Sequence, residues 1–182
     1  HRDLKPQNIL IRRVTGGGRD GRASRGGDDT FLVYECAITD FGLARILNPS
    51  NREFSSYVVT RFYRPPELLL FDLKNKIFSR YDFGVDMWSI GCMFIEMING
   101  KALFCGDTTV SQLDMIFMYR GTPNESMWRG ITTHARYINF KQYPPKSTQE
   151  YLMCKDLHAH DLVDRMLSWT GRCTCEEALQ DS

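Results

Sequence analysis

The stretch His1-Arg2-Asp3-Leu4-Lys5-Pro6-Gln7-Asn8 puts a carboxylate, an ammonium and a carboxamide on one short segment, with Pro6 stiffening the backbone between them. The carboxylate of Asp3 can accept the proton of an attacking hydroxyl. The ammonium of Lys5 can neutralise charge on a moving phosphoryl group, and the amide oxygen of Asn8 can hold a divalent cation. The set suits phosphoryl transfer. A His-Arg-Asp triplet alone is usually no more than a run of exposed polar side chains, so the specificity lies in the full octet.

The octet resembles the catalytic loop of eukaryotic protein kinases, H-R-D-L-x-x-x-N, and its Lys5-Pro6-Gln7-Asn8 ending is most similar to cyclin-dependent kinases. The resemblance implies ATP and Mg2+ as cofactors. It makes Asp3 the base or orienting group and Lys5 the phosphoryl stabiliser, with Lys5, Gln7, Asn8, Leu10 and Asp40 around the nucleotide. Asn8 and Asp40 would be the metal ligands, Asp40 belonging to the triplet Asp40-Phe41-Gly42.

These residues need elements to hold them. Ile9-Leu10-Ile11 is a short apolar run of the kind that makes a buried strand, and Phe31 to Tyr34 with Cys36 to Thr39 resumes strand character before Asp40. Between them, residues 12–29 turn to Arg, Gly, Asp and Ser without apolar periodicity, which predicts a disordered extension of the hairpin. A longer loop costs only about 0.6 kcal/mol per doubling, so the strands can still pair.

Leu43 to Thr60 is polar and turn-rich and resembles an activation segment leading to Tyr63-Arg64-Pro65-Pro66-Glu67. Counted back from Thr60, Ser55 falls where cyclin-dependent kinases carry an activating phosphate, and Ser55 with Tyr57 also matches the Thr-x-Tyr pair of mitogen-activated protein kinases. Arg2 and Arg45 match arginines that hold such a phosphate. Thr60 matches the residue that ties the segment to Asp3 and Lys5, and Val59 with Arg64 a pocket for substrates bearing Ser/Thr-Pro. Glu67 and Arg172 match a structural ion pair, and Asp86 a carboxylate that accepts backbone N–H bonds from the catalytic loop.

Val85 to Ile98 carries apolar residues on nearly every face, which predicts a buried central helix starting near Asp86 and capped by Gly100. Apolar residues at 113, 116 and 117 fit a second helix stopped by Gly121 and Pro123, and helical spacing resumes from His160. The fold expected is mainly α: a protein-kinase C-lobe over 1–182, a helical bundle around a buried central helix, with a small β-hairpin carrying Asp40. The phosphate-binding lobe that precedes the octet in the family is absent from these residues, so the expectation is a partial domain, inactive alone.

The formal charge of +1 gives no general attraction to nucleic acid or membrane, and the apolar runs fall well short of the roughly 20 residues that span a bilayer. The six cysteines are scattered, and Cys173 and Cys175 with His158 and His160 fit no common zinc spacing. The expected setting is intracellular, in cytoplasm or nucleus. Protein substrates and a cyclin or other activator are the expected partners. Two other readings stay open: a mitogen-activated protein kinase, and a pseudokinase or regulatory binding module.

Overall fold

A helix with apolar residues on nearly all its faces must be surrounded, and α2 (Gly84–Asn99) is. Its Trp88 and Ile95 are fully buried, and Val85, Met87 and Cys92 nearly so. The computed structural model describes residues 1–14, 33–46, 53–54, 61–70, 79–80, 82–133 and 140–180. Within them α2 packs against α4 (Leu157–Met166) and the turn Arg61–Tyr63, α1 (Pro66–Leu70) packs on α3 (Thr109–Arg120), and α5 (Cys175–Leu179) follows α4 in the chain. The chain folds as a mainly helical unit with a small two-stranded sheet at the end that carries the octet.

The helix ends follow capping chemistry. Gly100, at φ +72°, closes α2 as expected. The start is two residues earlier than the sequence suggests: the Asp82 carboxylate accepts the Gly84 N–H at 2.8 Å and Asp86 lies inside the first turn. Asp86 is therefore not the N-cap, and its side chain is free for other donors. Thr108 and Ser111 form a reciprocal capping box for α3, whose Leu113, Ile116 and Phe117 are buried at the predicted spacing before Gly121 ends it. Helix α4 begins at Leu157, ahead of His160, because Asp156 accepts the His158 N–H at 3.0 Å.

The core is aromatic. Trp169, just past α4, stacks on Trp128 at 6.1 Å and meets Phe117 edge-on at 5.8 Å, while Trp88 stacks on Phe104 at 6.1 Å. Close approach of α2 to the end of α4 depends on Gly91, where a Cβ would lie 2.9 Å from Leu167 Cδ2.

Strands β1 (Ile9–Val14) and β2 (Val33–Ile38) pair antiparallel from Ile9 opposite Ile38 to Val14 opposite Val33. Two expectations change here. Residues 12–14 belong to β1 rather than to the insert, and Arg12 forms a cross-strand ion pair with Glu35. Cross-strand pairing thus overrides the polar composition at this end; residues 15–29 of the predicted insert lie outside the described residues. Nor is the strand buried: Leu10 is 59% and Ile11 66% exposed, since no other described element pairs with this ribbon. A second short pair, β3 (Glu53–Phe54) with β4 (Ser79–Arg80), completes the sheets. No helix among the described residues is long and apolar enough to cross a membrane.

Gly106 offers a direct test of this packing, because a Cβ there would fall 2.2 Å from the Gln112 backbone nitrogen. Gly106→Ala is expected to lower unfolding free energy by about 1–3 kcal/mol in urea titration, with unchanged stability as the contrary result.

Candidate active site

The octet enters a 3-10 turn, Pro6–Asn8, through an extended Lys5, and the turn opens with proline at its first position. Its side chains turn back on Asp3. Lys5 Nζ donates to Asp3 Oδ2 at 2.8 Å. Asn8 Nδ2 donates to the Asp3 carbonyl oxygen at 2.9 Å and leans toward Oδ2 at 3.4 Å. Asp3 and Asn8 are buried, whereas Lys5 is half-buried. A cation and an amide thus meet on one acidic residue.

The segment is held from below by α2. The Asp86 carboxylate accepts the Arg2 backbone N–H at Oδ1 and pairs with the α-ammonium of His1 at Oδ2, each at 2.7 Å. This matters because Arg2 sits at φ +72°, where a side chain costs about 1–2 kcal/mol. Two charge-assisted bonds from adjacent nitrogens can hold that conformation.

The same segment is tied sideways to the turn that carries Asp40. Arg2 Nε donates to the Leu43 carbonyl at 2.7 Å, and Thr39 N donates to the Asn8 carbonyl at 3.0 Å. The His1 ring bridges both sides: Nε2 lies 2.9 Å from the Thr39 carbonyl, and Nδ1 accepts the Asp3 N–H at 3.3 Å. A carbonyl only accepts and an N–H only donates, so these partners assign the proton to Nε2. Phe41 packs edge-on against the ring at 4.9 Å.

Asp40 has φ +62°, and its Oδ1 accepts the Gly42 N–H at 3.4 Å. Arg2 and Asp40 are the described non-glycine residues with positive φ, so the strained backbone flanks the site on both sides. Asn8 commits its amide nitrogen to Asp3, which leaves the carbonyl oxygen as a ligand, and the Asp40 carboxylate is exposed. One neutral and one anionic oxygen suit Mg2+, which commonly takes one or two protein ligands beside substrate phosphates. No described cluster of three His, Cys, Asp or Glu competes as a metal site.

The other predicted residues divide clearly. Arg2 and Arg45 line one hollow with His1, Asp82, Phe83, Val85 and Asp86, and Arg45 bonds the Ala44 carbonyl. Gln7 is exposed and Leu10 faces solvent, both on the open side. Ser55, Tyr57, Val59 and Thr60 lie outside the described residues; Arg64 is half-buried just after the turn Arg61–Tyr63. Glu67 and Arg172 meet in a bidentate pair at 2.6 and 2.8 Å. The same guanidinium bonds the Ser168 and Gly84 carbonyls and lies over the Trp88 ring.

Sequence reasoning missed the anchors of the Arg61–Tyr63 turn. Ser89 Oγ donates to the Tyr63 carbonyl at 2.9 Å, and the Tyr63 hydroxyl donates to Glu96 at 2.7 Å. Burial and the Glu96 carboxylate push the Tyr63 phenol well above its ordinary pKa, so it stays a donor. The fully buried Gln112 donates to the Phe62 and Phe104 carbonyls and accepts from Gly106 N. A lone amide one turn before the apolar Ile116 was the available signal.

The family model of the protein kinase domain matches residues 1–182. The probable serine/threonine-protein kinase KIN28 homolog of Encephalitozoon cuniculi (strain GB-M1) is 38% identical over 184 residues, covering 99% of this chain and 50% of that protein. The chain therefore spans about half the length of this curated relative.

The Glu67–Arg172 pair has side chains only 16% and 6% exposed. Arg172→Ala is expected to cost about 3–5 kcal/mol in denaturant unfolding, because it strands the Glu67 carboxylate. Replacing both by leucine should recover much of that loss, and an additive double-mutant cycle would contradict the coupling.

Proposed function

The chain belongs to the protein kinase family, and on that footing we propose that the whole protein transfers the γ-phosphoryl group of ATP to Ser or Thr of protein substrates. The observation that carries this reading is the convergence of Lys5 and Asn8 on Asp3. Asp3 would orient the substrate hydroxyl and take its proton as the new O–P bond forms. Lys5, held within 2.8 Å of that carboxylate, would stand beside the transferring group and offset its charge. Asn8 and Asp40 would hold Mg2+, which when bound with the nucleotide neutralises charge on the phosphates. A binding module without catalysis has no use for this set.

The finer reading is a cyclin-dependent-kinase-like, proline-directed enzyme. It rests on the octet's Lys-Pro-Gln-Asn ending and on Val59 and Arg64, which match the proline pocket. A substrate proline brings no N–H, so a pocket without a free acceptor favours it. Phosphate on Ser55 would bring about −1.5 to −2 charges, for which Arg2 and Arg45 are the partners. A cyclin or similar protein would serve as activator.

By itself the 182-residue chain is proposed to bind ATP poorly and to show no transfer. Leu10, Ile38 and Phe41 are largely exposed, and no other described strand pairs with the ribbon that carries Leu10 and Ile38.

In the full-length protein Asp3→Asn is expected to lower kcat by about 100-fold or more while the KM for ATP stays near wild type. Wild-type turnover would refute the assignment. Ser55→Ala should reduce activity by about tenfold or more in a peptide assay, and equal rates would remove Ser55 as a switch.

A further inference from the structure

Sulfur-bearing side chains converge where α2, α4 and α5 meet. Met87 of α2, Met166 at the end of α4 and Cys173 pack together, each at most 6% exposed. Cys175, the first residue of α5, is exposed, and its thiol points at the Met87 thioether with the sulfurs 3.7 Å apart. Neither cysteine is in a disulfide. Ile90 and Leu162 wall the cluster with hydrocarbon. Nothing in the phosphoryl-transfer reading uses these residues.

We propose that Cys175, Met87, Cys173 and Met166 form a binding site for a soft, monovalent, thiophilic metal ion of the Cu(I) class. Ligand chemistry favours it, because thiolate and thioether donors select Cu(I), whereas zinc sites draw on Cys, His and carboxylates. Among the described residues no cluster of three His, Cys, Asp or Glu is present to make a site of the latter kind. Geometry agrees. With metal–sulfur bonds of about 2.3 Å, neighbouring ligands of a tetrahedral ion stand about 3.8 Å apart, and Cys175 and Met87 already stand at 3.7 Å.

Proton release accompanies binding. The Met87 sulfur now accepts the Cys175 S–H. On binding, the S–H bonds of Cys175 and Cys173 break, their protons leave to solvent and sulfur–metal bonds take their place, with no change of oxidation state. The exposed Cys175 provides entry, and the three buried sulfurs keep water from the ion.

The test is an anaerobic titration of the purified protein with Cu(I) delivered from bicinchoninate. The protein should withdraw one equivalent and develop near-ultraviolet thiolate-to-metal absorption, and a Cys36→Ser/Cys105→Ser variant, lacking two other exposed thiols, should do the same. Cys175→Ser and Met87→Leu, a swap that preserves core volume and is checked by circular dichroism, should each weaken binding by about tenfold or more. Failure to withdraw the equivalent would overturn the site. So would wild-type affinity in both Cys175→Ser and Met87→Leu, loss of binding in Cys36→Ser/Cys105→Ser, or equal competition by Zn(II).

Discussion

The His1–Asn8 segment depends on one carboxylate that lies outside it, on α2. Asp86 receives the Arg2 backbone N–H and the His1 α-ammonium on its two oxygens, and so fixes the start of the octet to the first turn of α2. Arg2 is held in the left-handed region, and the turn it forces aims Asp3 back toward Lys5 and Asn8. From the strained Arg2 one bond runs to Leu43, and from His1 another runs to Thr39. The second strained residue, Asp40, stands between those two contacts. Both walls of the site are therefore referenced to a single side chain on α2.

That reference is useful only if α2 is rigid. Its rigidity comes from interlocked aromatic packing around Trp88 and from the guanidinium of Arg172, which joins Glu67, Gly84 and the Trp88 face. The turn before α1 is fastened to α2 by Ser89 and Glu96, and to α3 by Gln112. Buried polar groups of this kind cost stability when half-satisfied and specify a single arrangement when complete. They hold the Arg61–Tyr63 turn against the helix that anchors the octet.

Much of this was legible because the octet, Asp40-Phe41-Gly42 and Pro66-Glu67 are contiguous patterns whose chemistry is local. The spacing of Leu113, Ile116 and Phe117 was equally readable, since helical periodicity needs no partner to be recognised. What escaped depends on partners distant in sequence. The start of α2 was misplaced because Asp82 and Asp86 are both plausible caps, and only the arrival of His1 and Arg2 decides which one serves the loop. The exposure of Leu10 and Ile11 was missed because β-branched and apolar residues signal a strand without saying what covers it. Arg12 to Val14 read as loop by composition yet pair with Val33 to Glu35, a cross-strand outcome that no local window contains.

The site is thus organised from the helical side outward, with chemistry concentrated on the face that would transfer phosphate. The direct test of that account is steady-state kinetics of Asp86→Asn in the full-length protein. The substitution keeps the shape of the side chain but replaces one acceptor oxygen with an amide donor facing a backbone N–H. The account predicts a kcat reduced by about 10-fold to 100-fold with little change in the KM for protein substrate, and increased hydrogen exchange at Arg2 and Asp3. Wild-type kcat with unchanged exchange would contradict it.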